Sequence, residues 1–564
     1  VIVAEAVGRA LAGAGARVAF GVVGSGNFHV TNALVRHGVR FVAARHEGGA
    51  ATMAAAYARM SGQVGVVTVH QGPGLTNAIT GIAEAAKSRT PLVVLTGEAT
   101  DARSNFHIDQ DALARSVGAL AVRLTSPATA VAEALEAFRL ARDDRRTVVL
   151  NLPLGLQSAD AGDPPAARER PASPHGAGTA SPAPEGTPSS AAEDALAGGE
   201  ALGVFAGMLR EARRPVFVAG RGARGARAEV AELAGRAGAL LATSAVARGL
   251  FRGSPWDLDV SGGFATPLAA ELIRDADLVV GWGCALNMWT TRHGALIGPG
   301  ARVVQVDLDP DAVGRHVPAG LGVIGDVASV ARAAAAALGS EAAPAAGYRS
   351  PEVARRIRAE GRWRAVPYRD ESGGGRIDPR TLSIGLDDLL PAERILATDS
   401  GNFMGYPAMF MDVPDEAGFC FTQAFQAVGL GLASAIGAAV ARPDRLPVAA
   451  LGDGGAWMSA AELETVVRLG LPMVVVVYDD EAYGAEVHHF GPHGDELDTV
   501  RFPPADLAAV ARGHGFAAVT VGEAADLAGV AGWLKGPRDR PLLVHAKVTR
   551  EHASWWLEEA FRGH

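Results

Sequence analysis

The stretch from Pro447 to Gly484 leaves few folds open to the chain that contains it. Val448–Leu451 and Met473–Tyr478 are short apolar runs without the alternation of a strand that has one wet face, so each reads as a strand buried on both sides. Between them Ser459–Leu469 reads as a helix, with Ser459 as N-cap and Glu462 three residues on. Strand, helix and strand of these lengths make a parallel crossover unit, which belongs to an α/β fold. Asp453 and Asp480, 27 residues apart, then stand just past the C-terminal ends of two parallel strands. Ligands of open α/β sheets bind at that edge. Two carboxylates there suit a hard divalent cation that keeps a phosphate partner, and Gly452, Gly454 and Gly455 let backbone amides approach phosphate oxygens. A Gly-Asp-Gly run by itself is an ordinary βα turn. Its pairing with a second acidic strand end is what points to a site.

Strand and helix patterns alternate along the whole chain, giving an α/β protein of three doubly wound parallel-sheet domains. With 564 residues the chain is too long for one core. The first domain spans residues 1–159, with strands at Val18–Val22, Phe41–Ala43, Val64–Thr68, Leu92–Leu95 and Thr147–Leu150. Residues 160–200, rich in Pro, Ala, Gly and Ser, read as a flexible linker. A central domain covers 201–340, with strands at Val216–Ala219, Leu278–Val280 and Val303–Val306; a second linker covers 341–375, and the third domain 376–564.

A net charge of −9 without a basic block provides no electrostatic footprint for nucleic acid. No run of 18 apolar residues suggests a membrane span, and the start, Val1-Ile2-Val3-Ala4-Glu5, shows no signal peptide. The two cysteines, Cys284 and Cys420, read as buried small residues in a reducing compartment. A cytoplasmic protein is expected.

Several motifs carry candidate chemistry. His46-Glu47-Gly48-Gly49-Ala50-Ala51 puts a carboxylate beyond a strand end, at the start of an Ala-rich helix. Val69-His70-Gln71-Gly72-Pro73-Gly74-Leu75-Thr76-Asn77 follows the next strand, and Val23-Gly24-Ser25-Gly26-Asn27 precedes both. Histidine is the residue type most used for proton transfer, which makes His70 a candidate. Thr398-Asp399-Ser400-Gly401-Asn402-Phe403 follows the strand Ile395–Ala397, and Gln426-Ala427-Val428-Gly429 opens a further apolar helix.

Together these runs resemble the thiamine-diphosphate-dependent enzymes of the acetolactate synthase and benzoylformate decarboxylase superfamily, over essentially the whole chain and most of all the acetolactate synthase large subunit. The resemblance implies pyrimidine-binding, central and diphosphate-binding domains in that order. It implies thiamine diphosphate and Mg²⁺, with the metal held by Asp453, Asp480 and the carbonyl of Ala482. Relatives mostly have Asn-Asn where this chain has Asp479-Asp480, which would add negative charge at the metal. It implies Glu47 as the acid that activates the aminopyrimidine ring. Gly72, Pro73, Asn77, Gly401, Asn402, Phe403, Ala427, Gly452, Gly454, Gly455, Tyr483 and Gly484 would line the cofactor, with Val428 as the wedge that keeps it bent. Ser25 and His70 would bind the substrate carboxylate and shuttle protons. Gln110 would position substrate, with Val23, Gln71, Val487 and His488 around the pocket and Trp555-Trp556-Leu557 as a cap or a docked helix. The central domain's Ala219–Arg224 run leaves room for FAD without indicating it. Because the pyrimidine and metal sites come from different subunits in this family, a homodimer or homotetramer follows.

The expected activity is decarboxylation of a small 2-oxo acid, with the remainder joined to an acceptor carbonyl. Release of a free aldehyde is the alternative, and a non-catalytic binding subunit of the same fold is the remote one.

Overall fold

The computed structural model describes residues 1–162, 199–339 and 347–560. Three six-stranded sheets follow one another along the chain, and every pairing within them is parallel. The first contains β1 (Val18–Gly21), β2 (Arg40–Ala43), β3 (Gly65–Val69), β4 (Leu92–Glu98), β5 (Leu120–Arg123) and β6 (Thr147–Pro153). The second contains β7 (Pro215–Ala219), β8 (Leu240–Thr243), β9 (Asp257–Val260), β10 (Leu278–Trp282), β11 (Arg302–Asp307) and β12 (Leu321–Ile324). The third contains β13 (Arg394–Thr398), β14 (Phe419–Phe421), β15 (Leu446–Gly452), β16 (Val474–Asp479), β17 (Ala517–Val521) and β18 (Leu542–Lys547).

Their strand orders decide where ligands can sit. The first sheet runs β2-β1-β3-β4-β6-β5 and the third runs β14-β13-β15-β16-β18-β17, which is the same topology. Each reverses direction between its first and third strands, so a crevice opens past β1 and β3, and past β13 and β15. The second runs β12-β11-β10-β7-β8-β9, the doubly wound order that reverses between β7 and β10.

The first and third units share one core. Helix Glu47–Ser61 presents Met53 and Ala54 to a buried cluster that also holds Ile436, Ala449 and Val475. Helix Gly431–Ala441, buried almost all round, lies against it. The two approach so closely that a Cβ on Gly437 would stand 2.1 Å from the Met53 carbonyl oxygen.

Two local expectations are corrected. Two short helices stand there, Asp453–Met458 and Glu462–Arg468, and only the second falls within the expected Ser459–Leu469. Ser459 closes the first rather than capping the second, and its hydroxyl donates to the Gly455 carbonyl at 2.8 Å. The helix starts at the strand end because Asp453 leaves β15 directly into helical geometry, despite three glycines around it. The second linker contains a helix, Pro351–Glu360, with Ser350 as its cap and Pro351 in its first turn. It is held by Arg356 on Glu271, and the following Trp363 donates to Phe264 O at 2.6 Å. Most of the first linker, 163–198, lies outside the described residues. Cys284 and Cys420 are free and buried, as expected. Among the described residues no helix is long and apolar enough to cross a membrane.

Gly437→Val forces two packed helices apart and should cost about 1–3 kcal/mol of stability, as overpacking does. Thermal denaturation checks this; an unchanged midpoint would show that the two units do not depend on that contact.

Candidate active site

The crevice of the third sheet gathers the residues that the Gly-Asp-Gly run predicts. Asp453 follows β15 and Asp480 follows β16, its neighbour in the sheet, so parallel pairing brings the two carboxylates together. Burial, and then the charges of Asp480 and Asp479, push Asp453 up to about 8. Burial, followed by Asp479, pushes Asp480 up to about 7. Two buried carboxylates side by side are chemically matched to a hard cation. The turn after them is fixed on both sides: Tyr483 N–H donates to Val500 O at 2.8 Å and Phe502 N–H to Glu481 O at 2.9 Å. Ala482 lies between these bonds.

The glycines let the strand ends and the following turn approach closely. A Cβ on Gly454 would stand 2.7 Å from the Tyr483 ring, one on Gly452 3.1 Å from Phe403, and one on Gly484 2.2 Å from Asp480 Oδ2. Phe403 itself is stacked on Tyr478 beneath the crevice. Gly401 opens the other lip with φ +138°, and Asn402 is buried under the C-terminal segment. Ser554 N–H donates to Asn402 Oδ1 at 2.9 Å, while Ser554 Oγ and Trp556 Nε1 donate to Asn402 O. Trp555–Trp556 is therefore a docked segment that orders this lip.

Asp399, which the sequence reading left without a role, organises the wedge. It is fully buried at the end of β13 and accepts the amides of Ser400, Gly429 and Leu430. Burial still holds its carboxyl up at about 6. At the other end of the loop, Phe425 N–H donates to the buried Glu84 of the first unit at 2.7 Å. Pinned at both ends, the loop leaves Val428 41% exposed beside Gly455, with Ala427 half-buried next to it.

The corresponding crevice of the first sheet holds the second group. Ser25 follows β1 and His70 follows β3, and across the topological switch Ser25 Oγ lies 3.2 Å from His70 Nε2. His70 Nδ1 lies 2.9 Å from the Gln71 carbonyl, so Nδ1 carries the proton and Nε2 accepts from the serine hydroxyl. Asn27 fixes the serine loop by accepting from Gly24 N–H and donating to Val22 O and Thr68 Oγ1. Glu47 opens its helix and accepts from Asn77 Nδ2 at 3.1 Å, and Gly72 and Pro73 start the helix that carries Asn77. Glu462 accepts the amides of Arg45 and His46 and so ties this corner to the third unit.

Three placements differ from expectation. Gln110 is buried and wholly engaged: its oxygen accepts from Gly72 N–H, and its nitrogen donates to Gly97 O and Asn151 Oδ1. It shapes the Gly72 turn from beneath instead of facing a pocket. Gln71 is buried under Gly26 and Gly97. The charge of Asp479 is balanced at close range, because it accepts from His545 Nε2 and Lys547 Nζ, each at 2.6 Å. Burial works to raise its carboxyl, and those bonds outweigh it and hold it low. Val23 is exposed at the first crevice, while Val487 and His488 are half-buried on helix Gly484–Phe490. Burial, and then His552, lowers His488 below the usual imidazole range.

At the central sheet's switch point a cavity of about 290 Å³ is lined by Arg59, Arg221, Ser244, Cys284 and Gln423. Burial, then Arg59, draws Arg221 down to about 9.

Comparison with known proteins gives three matches along the chain to models of the thiamine pyrophosphate enzymes: the N-terminal TPP binding domain over 2–117, the central domain over 203–334 and the C-terminal TPP binding domain over 399–546. Full-length relatives include a sulfoacetaldehyde acetyltransferase of Rhodobacter capsulatus, 29% identical over 86% of this chain and 82% of the relative. A putative acetolactate synthase large subunit of Mycobacterium tuberculosis is 30% identical over 86% of each. A probable 2-ketoarginine decarboxylase of Pseudomonas aeruginosa is 30% identical over 85% of this chain and 82% of the relative.

Asp399→Ala leaves three amides without an acceptor, at about 1–3 kcal/mol for each that stays buried. Asp399→Asn keeps an oxygen in place and should melt near the native temperature. Equal losses for both variants would contradict this role.

Proposed function

Because the chain belongs to the thiamine pyrophosphate enzyme family, we propose that it decarboxylates a small 2-oxo acid and joins the remainder to an acceptor carbonyl, as acetolactate synthases do. The observation that carries the reading is the buried Asp453–Asp480 pair at the end of two neighbouring strands, facing a glycine-lined crevice. Asp453, Asp480 and the Ala482 carbonyl would hold Mg²⁺. Gly401, Asn402, Phe403, Gly452, Gly454, Gly455, Tyr483 and Gly484 would seat the diphosphate, and Val428 would wedge the coenzyme with Ala427 beside it. Thiamine diphosphate, when bound, supplies the electron sink for loss of CO₂.

The chain's own residues supply the rest. Glu47, held by Asn77, would take the pyrimidine end of the coenzyme, with Gly72 and Pro73 beneath it. A second copy of the chain would bring that corner to the metal crevice of the first, forming a homodimer or a homotetramer. Exposed Val428, Trp457, Met458, Tyr483 and Phe106 support such a covered face. The His70–Ser25 pair gives proton control. With Nε2 neutral, the serine hydroxyl donates to histidine; once Nε2 takes a proton it donates to Ser25 Oγ, freeing the hydroxyl for a substrate carboxylate.

That same pair favours a second reading, release of an aldehyde by simple decarboxylation, and the relatives include a probable decarboxylase as well as transferring enzymes. Product analysis with pyruvate and with an aryl 2-oxo acid separates the two. Acyloin or acetohydroxy acid supports joining; free aldehyde alone supports the second reading.

Glu47→Gln should abolish turnover and spare coenzyme binding, read by calorimetry alongside the assay; surviving turnover would remove Glu47 from the mechanism. His70→Ala should lower kcat by about 10²–10⁴-fold, the span of a positioned acid-base group. An unchanged kcat would leave the Ser25–His70 pair without a chemical role.

A further inference from the structure

Three consecutive acids, Asp479, Asp480 and Glu481, close β16, and only the middle one faces the metal crevice. The other two face a cluster of cations. Asp479 Oδ2 accepts from Lys547 Nζ and His545 Nε2, each at 2.6 Å, and its Oδ1 accepts the amide of Glu481 at 3.0 Å. Glu481 is paired with Arg376 at 2.6 Å, Arg550 at 2.8 Å and Lys547 at 3.5 Å. This arrangement is set by register. β16 and β18 pair in parallel with Val477 opposite His545 and Asp479 opposite Lys547, so residues 545 and 547 share the face beside the acid. Asp479 and His545 are almost wholly buried, and Lys547 is about one-fifth exposed.

Resting on the functional reading above, we infer that Lys547, aided by His545, is a positioning residue for the metal seat: it neutralises Asp479 and so holds the turn that presents Asp480 and the Ala482 carbonyl to the cation. Asp479 has two tasks at once. One oxygen closes the turn through the Glu481 amide, where the backbone runs at φ +61°, a conformation uncommon for a side-chain-bearing residue. The other is held by Lys547 and His545; without them the buried carboxylate swings away toward other donors, and the turn loses its closing bond. Lys547 thus gives a counter-charge to an acid that stands where an amide would need hydrogen bonds alone.

The test uses the whole protein stripped of metal, loaded with thiamine diphosphate and titrated with MgCl₂, followed by calorimetry and by thermal melting. K547M, and K547Q, which keeps a hydrogen bond but no charge, should bind Mg²⁺ about 10–100-fold more weakly, as loss of a residue supporting a metal ligand does. D479N should bind like the native protein, and D479N in the K547M background should restore native affinity. Native affinity in K547M and K547Q overturns the inference. So does a double variant that stays as weak as K547M, which would mean the lysine acts through packing alone. A native protein that takes up neither Mg²⁺ nor the coenzyme overturns the functional reading itself, and this inference with it.

Discussion

The confinement of Asp453 and Asp480 at the ends of two adjacent parallel strands is the constraint on which the rest of the molecule depends. Neither residue is free to move apart, because β15 and β16 are fixed in register and buried on both faces. Like charges so placed are unfavourable in a medium of low dielectric. A fold that keeps them must offer a cation or protons, and must shield everything else nearby from adding to the repulsion. The surroundings answer that need. Asp399 is turned inward onto backbone amides, Asp479 is taken by Lys547 and His545, and Glu481 by arginines. The crevice therefore contains a crowd of carboxylates of which only two remain open.

The same economy of topology produces the second group. The first and third sheets share a strand order, so each opens a crevice at the same step of its winding. One is lined with glycine and acid, the other with Ser25, His70 and Glu47. Their rigid mutual placement comes from helices Glu47–Ser61 and Gly431–Ala441, packed at backbone contact, and from Glu462 and Glu84, which each reach from one unit to amides of the other. In the proposed assembly the two ends of the ligand are gripped by different copies, so each copy must hold its own two crevices in fixed relation.

Much of this was legible in the residues. Strands such as Leu446–Gly452 and Val474–Asp479 announce themselves as apolar runs, and the acids Asp453 and Asp480 after them fall where the sheet rule puts them. What stayed hidden depends on contacts far apart in sequence. Gln110 looks like any polar residue at a helix start until the Gly72 amide and Asn151 are found around it. Glu462 reads as part of a capping pattern, yet its carboxylate serves residues 45 and 46. Helix Asp453–Met458 stays hidden because its Asp-Gly-Gly start reads as a turn. Lys547 and His545 left a trace, two polar residues two apart in the run Leu-Leu-Val-His-Ala-Lys, whose meaning appears only once β18 is laid beside β16.

The most direct test is an experimental structure of the protein with thiamine diphosphate and Mg²⁺. The account predicts the metal on Asp453, Asp480 and the Ala482 carbonyl, the diphosphate along Gly401 and Gly452–Gly455, and a Glu47 carboxylate from a second copy at the pyrimidine ring. A coenzyme bound elsewhere, or a metal that leaves both aspartates untouched, would contradict it.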